Sequence, residues 1–81
     1  MNDFPAGSRF LGYAVHRQDT DDFLMKMVGS SDATLTSWTP DPSLSKIFSR
    51  RAVKTVAARL NALPVALYDS DEQVFVTWDI D

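Results

Sequence analysis

The sequence predicts an α+β fold in which one amphipathic helix packs on one face of an antiparallel sheet of four to five short strands, in the order ββ(β)αββ. Residues 49–63 (SRRAVKTVAARLNAL) carry apolar side chains at helical spacing, which predicts the helix. The flanking segments alternate apolar and polar residues and are separated by aspartate-rich turns, which predicts strands. A chain of 81 residues buries one core, so a single domain is expected over residues 1–81.

The first half of the chain predicts two or three strands. Residues 1–8 contain proline and glycine and are expected to be a loosely ordered lead-in. Residues 9–17 (RFLGYAVHR) and 23–28 (FLMKMV) predict an antiparallel hairpin, joined by the polar turn 18–22 (QDTDD). Residues 35–38 are expected to form a short third strand.

Proline marks the passage from strands to helix. Neither Pro40 nor Pro42 continues a strand ladder. Asp41 followed by Pro42 suits the N-cap and first position of a single helical turn over residues 42–46.

The main helix is expected to begin and end at recognisable caps. Ser49 is the predicted N-cap, and Phe48 before it is placed to pack against Val53. Asn61 suits the left-handed C-terminal cap, and Pro64 ends the helix.

Two further strands follow, over residues 65–68 and 74–80, with the turn 69–73 (DSDEQ) between them. Alternation in the last strand assigns four residues to the face that the helix covers: Val74, Val76, Trp78 and Ile80. A single helix leaves the other face of the sheet open. That open face is expected to show Phe75, Thr77, Tyr68, Phe10 and His16.

Composition limits the class of protein. The chain has no cysteine, so it forms no disulfide and offers no thiolate. No apolar run approaches the ~18 residues of a membrane span, and the first residues do not resemble a signal peptide. A cytoplasmic location is the expectation.

Charge is unevenly distributed along a chain of net charge −3. Residues 45–62 hold five basic side chains and no acid, whereas the rest of the chain holds three basic and eleven acidic side chains. The helix is therefore expected to be positive and the turns negative. The predicted partner-binding acids are Asp19, Asp21, Asp22, Asp69, Asp71 and Glu72.

These acids have two interpretations. Rows of carboxylates imitate the phosphate backbone of DNA and would occupy a basic groove meant for nucleic acid. Alternatively, they only keep the hairpin turns soluble. The spacing Asp-Thr-Asp-Asp lacks the glycine and distal glutamate of a calcium loop, so no metal site is expected.

The start of the helix is a second candidate surface. Arg50, Arg51 and Lys54 oppose the helix dipole there, so local helix stability does not explain them. They would contact an acidic partner or nucleic acid, or lie as a solvated face paired with the acidic turns.

Aromatic side chains on the open face are the third candidate. Tyr68, Phe75 and Phe10 could stack bases, but base-stacking sheets sit in a basic setting with an aromatic-glycine signature, and neither is present. Docking of a partner, or dimerisation, through this face is favoured over direct nucleic-acid binding.

No catalytic or cofactor motif is visible. His16 is the only histidine, and no nucleophile or carboxylate stands at a catalytic spacing from it. There is neither a nucleophile elbow nor a glycine-rich phosphate loop, so an enzyme and a cofactor are not expected.

The run WTPDPSLSKIFSRRA at residues 38–52, followed by AARL at residues 57–60 and a closing hairpin, resembles small phage and prophage proteins. Some short acidic proteins of that kind, including anti-CRISPR proteins, bind a host complex without catalysis. The resemblance implies an inhibitor that occludes the nucleic-acid site of a host protein or ribonucleoprotein with its acidic turns. The alternatives are a homodimeric accessory protein and a small nucleic-acid-binding module that uses the basic helix.

Overall fold

A computed structural model of the chain describes residues 8–29, 34–70 and 73–78. It confirms the predicted α+β class, with five strands and one α-helix in the described residues. The elements are β1 (Arg9–Arg17), β2 (Asp22–Gly29), β3 (Thr34–Thr39), α1 (Arg50–Arg59), β4 (Leu63–Ser70) and β5 (Gln73–Thr77). The predicted turn after Asp41 is a short 3-10 helix, Pro42–Leu44. Most of the expected lead-in and the residues Asp71, Glu72 and Ile80 lie outside the described ranges.

The sheet is antiparallel throughout, in the order β3-β2-β1-β4-β5. The central strand β1 pairs with β4 along most of its length, but it pairs with β2 at only two positions. Closer to the start of β1, Phe48 rather than β2 pairs with the strand, at Tyr13. Its N–H donates to the carbonyl of Tyr13 (2.7 Å), and its carbonyl accepts from the N–H of Tyr13 (3.1 Å). This bridge fixes the chain entering α1 beside Tyr13.

The caps of α1 match their predictions, but the helix is shorter than predicted. The Ser49 side chain accepts a hydrogen bond from the N–H of Ala52 (3.2 Å), and Asn61 adopts the left-handed conformation with φ 56°. That turn ends the helix at Arg59 rather than at Leu63, because the N–H of Ala62 already bonds back to the carbonyl of Ala57 (2.8 Å). Leu63 then begins β4.

The core between α1 and the sheet is built around four fully buried side chains: Val15, Leu24, Val53 and Ala57. Phe48 packs against the same cluster as Val53, as the predicted hydrophobic staple requires. Trp38 and Tyr13 lie at its margin. The helix contributes to this core through the apolar stripe that the sequence predicts for it.

A second core lies on the opposite face of the curled sheet, because Ala14 and Phe23 immediately neighbour the helix-side residues Val15 and Leu24. It comprises Ala14, Phe23, Val65 and Leu67, with Val74 and Val76 packed against them. The assignment of Val74 and Val76 to the helix-covered face is therefore wrong. Alternation sorts residues into two faces but does not indicate which one a helix covers. The face that was expected to be open is therefore not exposed at Ala14, Val65 and Leu67, which are fully buried.

A bulge in β1 corrects one further prediction. The register with β4 shifts between Phe10 and Gly12, so Phe10 lies on the same face as Tyr13 rather than on the face of Ala14. Gly12 has φ 140°, a conformation that favours glycine, and a Cβ there would collide with the side chain of Ile47. The bulge moves an aromatic ring to the helix side of the sheet.

Candidate functional site

Aromatic rings gather at the start of β1, on the helix side of the sheet. The Phe10 ring meets Tyr13 edge-on with centroids 5.1 Å apart, and meets Tyr68 at 5.4 Å. Phe75 is the direct cross-strand partner of Tyr68 and so shares its face. The prediction that Tyr68, Phe75 and Phe10 lie on the face away from the helix is wrong. The three residues Phe10, Tyr13 and Tyr68 are called the aromatic group below.

The basic start of α1 borders this aromatic group. Phe48 bridges to Tyr13 and Leu63 pairs with His16, so α1 extends along β1 from the level of Tyr13 to that of His16. Phe10 precedes Tyr13 on the same face and therefore lies beyond the start of the helix. The start of α1 and the aromatic group therefore lie toward the same end of β1.

The cations of this helix are exposed and lack carboxylate partners within the described parts of the chain. Arg50, Arg51, Lys54 and Arg59 are all solvent-exposed, and no acidic residue stands in the first turn of α1. Lys46 has its ammonium 5.6 Å from the centre of the Phe48 ring. Arg50 and Arg51, in the first turn of α1, add positive potential where the helix dipole is already positive, whereas Arg59 stands in the last turn.

Asp22, where the β1–β2 turn enters β2, is in contrast engaged by Arg17 of β1. Arg17 donates two hydrogen bonds to the Asp22 carboxylate, at 2.8 Å and 2.6 Å, and its guanidinium lies 4.0 Å from the centre of the Trp38 ring. The hydrogen bonds from Arg17 lower the pKa of Asp22, and the same pair raises the pKa of Arg17. Thr20 donates a further hydrogen bond to Asp22 (2.8 Å).

Two more of the predicted binding acids are paired. Asp69 accepts a hydrogen bond from Arg9 (2.8 Å), and Asp21 accepts one from the Nε2 of His16 (2.9 Å). Asp19 is exposed and makes no ion pair with the described residues. Asp71 and Glu72 lie outside the described ranges. Of the four predicted binding acids in the described ranges, three are therefore hydrogen-bonded to arginine or histidine side chains of the protein.

His16 is buried rather than displayed on an open face. Its side chain is only 4% exposed and lies between the rings of Phe23 and Trp78, with centroids 4.9 Å and 5.4 Å away. Among the described residues its Nδ1 has no hydrogen-bond partner, whereas its Nε2 is hydrogen-bonded to Asp21. Trp78, predicted to be core, covers this histidine while remaining 51% exposed.

No catalytic constellation is visible among the described residues. An open cleft of about 340 Å³ lies between the β1–β2 turn and the end of α1, and Asp19 is the ionisable residue in its lining. No set of three or more histidines and carboxylates in the described ranges is placed to hold a metal ion. Asp41 caps the 3-10 helix, where its hydrogen bonds with Ser43 lower its pKa.

Comparison with known proteins adds no assignment: no family model, curated protein or solved structure matches the chain. None of the helices in the described residues is long and apolar enough to span a membrane.

Sequence reasoning missed that the aromatic group and the basic helix share one face. The signal that could have found it is Gly12, since an isolated glycine within a strand pattern often marks a bulge. A bulge after Phe10 reverses the face of that residue relative to simple alternation.

Proposed function

We propose that this protein is a non-enzymatic binding protein that holds the phosphate backbone of a nucleic acid against the outer face of α1. Arg50, Arg51 and Lys54 supply the contacts. The observation that supports this proposal most directly is the contrast in pairing: β1 pairs its arginines with aspartates, whereas these three residues have no carboxylate partner in the described residues.

Energetics favour a ligand over a purely structural role for these cations. Each cation in the first turn of a helix opposes the dipole by about 0.3–1 kcal/mol, so the fold gains nothing from them. A polyanion reverses this effect, because phosphates neutralise the side chains and release their own counterions. The expected binding is consequently strong at low salt and weakens as salt is added.

Titration of a fluorescently labelled oligonucleotide, followed by anisotropy at several salt concentrations, tests the proposal. We expect Arg51→Glu to weaken binding and to reduce the slope of log K against log salt by about 1. Lys26→Glu is the matched control, since it makes the same charge change at an exposed position on β2. Absence of salt-dependent binding by the unaltered protein, or equal losses in both variants, would contradict the proposal.

In a second candidate function, the acidic turns form the binding surface. Asp21 has an 89% exposed side chain and Asp19 lies beside it in the β1–β2 turn, so both reach solvent at one edge of the molecule. We propose as the alternative a phage-encoded inhibitor, as the resemblance implies, that inserts this turn into the basic groove of a host nucleic-acid-handling complex. An inhibitor of that kind binds its protein target and not the oligonucleotide, so the same titration separates the two functions.

A further inference from the structure

We propose that the nucleic acid is single-stranded, and that Phe10 stacks on one of its bases while the start of α1 holds the adjoining phosphates. This inference rests on the proposed function and names its ligand. It combines two observations: an exposed aromatic ring and a cluster of cations lie on the same side of the sheet. The sequence pattern predicts that they lie on opposite sides.

Phe10 is suited to stacking because it is both exposed and held in place. Its side chain is 51% exposed, although it stands in a strand of the sheet. Tyr13 contacts it edge-on and Tyr68 lies at a tilt, so the ring is supported on two sides. A ring already fixed by its neighbours loses little conformational entropy when a base stacks on it.

The position of the cations relative to the aromatic group favours a single-stranded ligand over a duplex. Proteins that bind single strands combine aromatic rings, on which bases stack, with basic side chains that follow the backbone. The bridge between Phe48 and Tyr13 brings the chain alongside Tyr13 of the aromatic group two residues before α1 begins at Arg50. A duplex keeps its base faces stacked inside, so it would contact the cations without using Phe10.

This arrangement also removes one of the two grounds for expecting no direct nucleic-acid binding, the lack of a basic setting, whereas the aromatic-glycine signature remains absent from the sequence. That expectation placed the aromatic residues on a sheet face remote from the basic helix. The bulge at Gly12 and the register of β4 place Phe10 and Tyr68 on the helix side instead. The basic setting that a stacking surface requires is therefore present.

Parallel anisotropy titrations with a single-stranded oligonucleotide and with its duplex test the inference. We expect the unaltered protein to prefer the single strand, and Phe10→Leu to weaken single-strand binding about tenfold while leaving duplex binding unchanged. Phe10→Trp retains an aromatic face and is expected to keep the preference. Leu35→Ala is the control, because it removes an exposed apolar side chain from the distant strand β3.

A strand that contains 2-aminopurine adds a direct readout, since its fluorescence changes when the base stacks on an aromatic ring. We expect that change with the unaltered protein and with Phe10→Trp, and its loss with Phe10→Leu. Equal affinity for both nucleic acids with no effect of Phe10 would overturn the single-strand inference and leave the proposed function standing. A loss by Phe10→Leu on both nucleic acids would also overturn it. No binding of either nucleic acid would overturn the proposed function itself.

Discussion

The charged side chains near the two ends of β1 differ in their surroundings. At its far end, Arg17 is clamped by Asp22 and lies over Trp38, and His16 is covered by Trp78 and held by Asp21. At its near end the strand bulges and Phe10 is exposed, and the cations at the start of α1 have no carboxylate partner among the described residues.

This difference separates charges that serve the fold from charges that are available to a ligand. Hydrogen bonds between ionised groups are stronger than neutral ones and fix geometry, so the far end of β1 is a structural clamp. At the near end Arg9 is paired with Asp69, but the exposed cations at the start of α1 have no carboxylate partner among the described residues and keep their long-range field. Formal charge along the sequence does not distinguish the two, because it counts paired and unpaired groups alike.

The largest effect is expected from a change at the bulge that creates the near end. Gly12→Ala should lower the free energy of unfolding by about 3 kcal/mol, because alanine is strained at φ 140° and its Cβ collides with Ile47. Urea denaturation measures the loss.

A second variant divides that loss between its two causes. Ile47→Ala removes the methyl group that the new Cβ would strike, so the double variant should be less destabilised than the sum of the single changes. Strict additivity would show that backbone strain alone accounts for the effect.

A smaller effect, dependent on pH, is expected at the far end. Arg17 lowers the pKa of Asp22 in the folded protein, so the pair stabilises the fold above the unfolded pKa of about 3.9. That contribution is lost as the pH falls through the lower, folded pKa, because Asp22 must then be protonated. Thermal unfolding measured from neutral to acid pH should show the decline.

Asp22→Asn is the control for this titration. It removes the ionisable group and keeps its size, so the variant should be less stable at neutral pH and should lose less stability on acidification. Parallel pH profiles for the two proteins would exclude Asp22 as the titrating group.

The sequence was sufficient where local chemistry determines structure. The N-cap at Ser49, the left-handed Asn61, the turn capped by Asp41 and the first strand were all predicted and all confirmed. Each depends on residues close together in the chain, whose hydrogen bonds and allowed φ values are fixed by residue type.

Prediction failed where a choice depended on distant parts of the chain. Alternation grouped Val74 with Val76, yet their face is decided by pairing with β4, since Val76 lies opposite Leu67. The acids were identified as a group, but the partners of Asp22 and Asp69 follow from the register of β1 with its neighbours. These facts are tertiary, so a one-dimensional pattern does not contain them.

The smallest effect is expected at Arg9, which is paired but exposed. Its guanidinium lies 2.8 Å from Asp69, yet 75% of its side chain is exposed to solvent, which screens the pair. Arg9→Ala should change the free energy of unfolding by no more than about 0.5 kcal/mol in urea denaturation. Asp69→Asn provides the matched change on the other partner, and a loss above 1 kcal/mol in both would show that this pair, like Arg17 with Asp22, belongs to the structural clamp. A change near zero in both variants would instead show that the structural clamp is confined to the far end of β1. The Arg9–Asp69 pair at the other end would then contribute little to the free energy of unfolding.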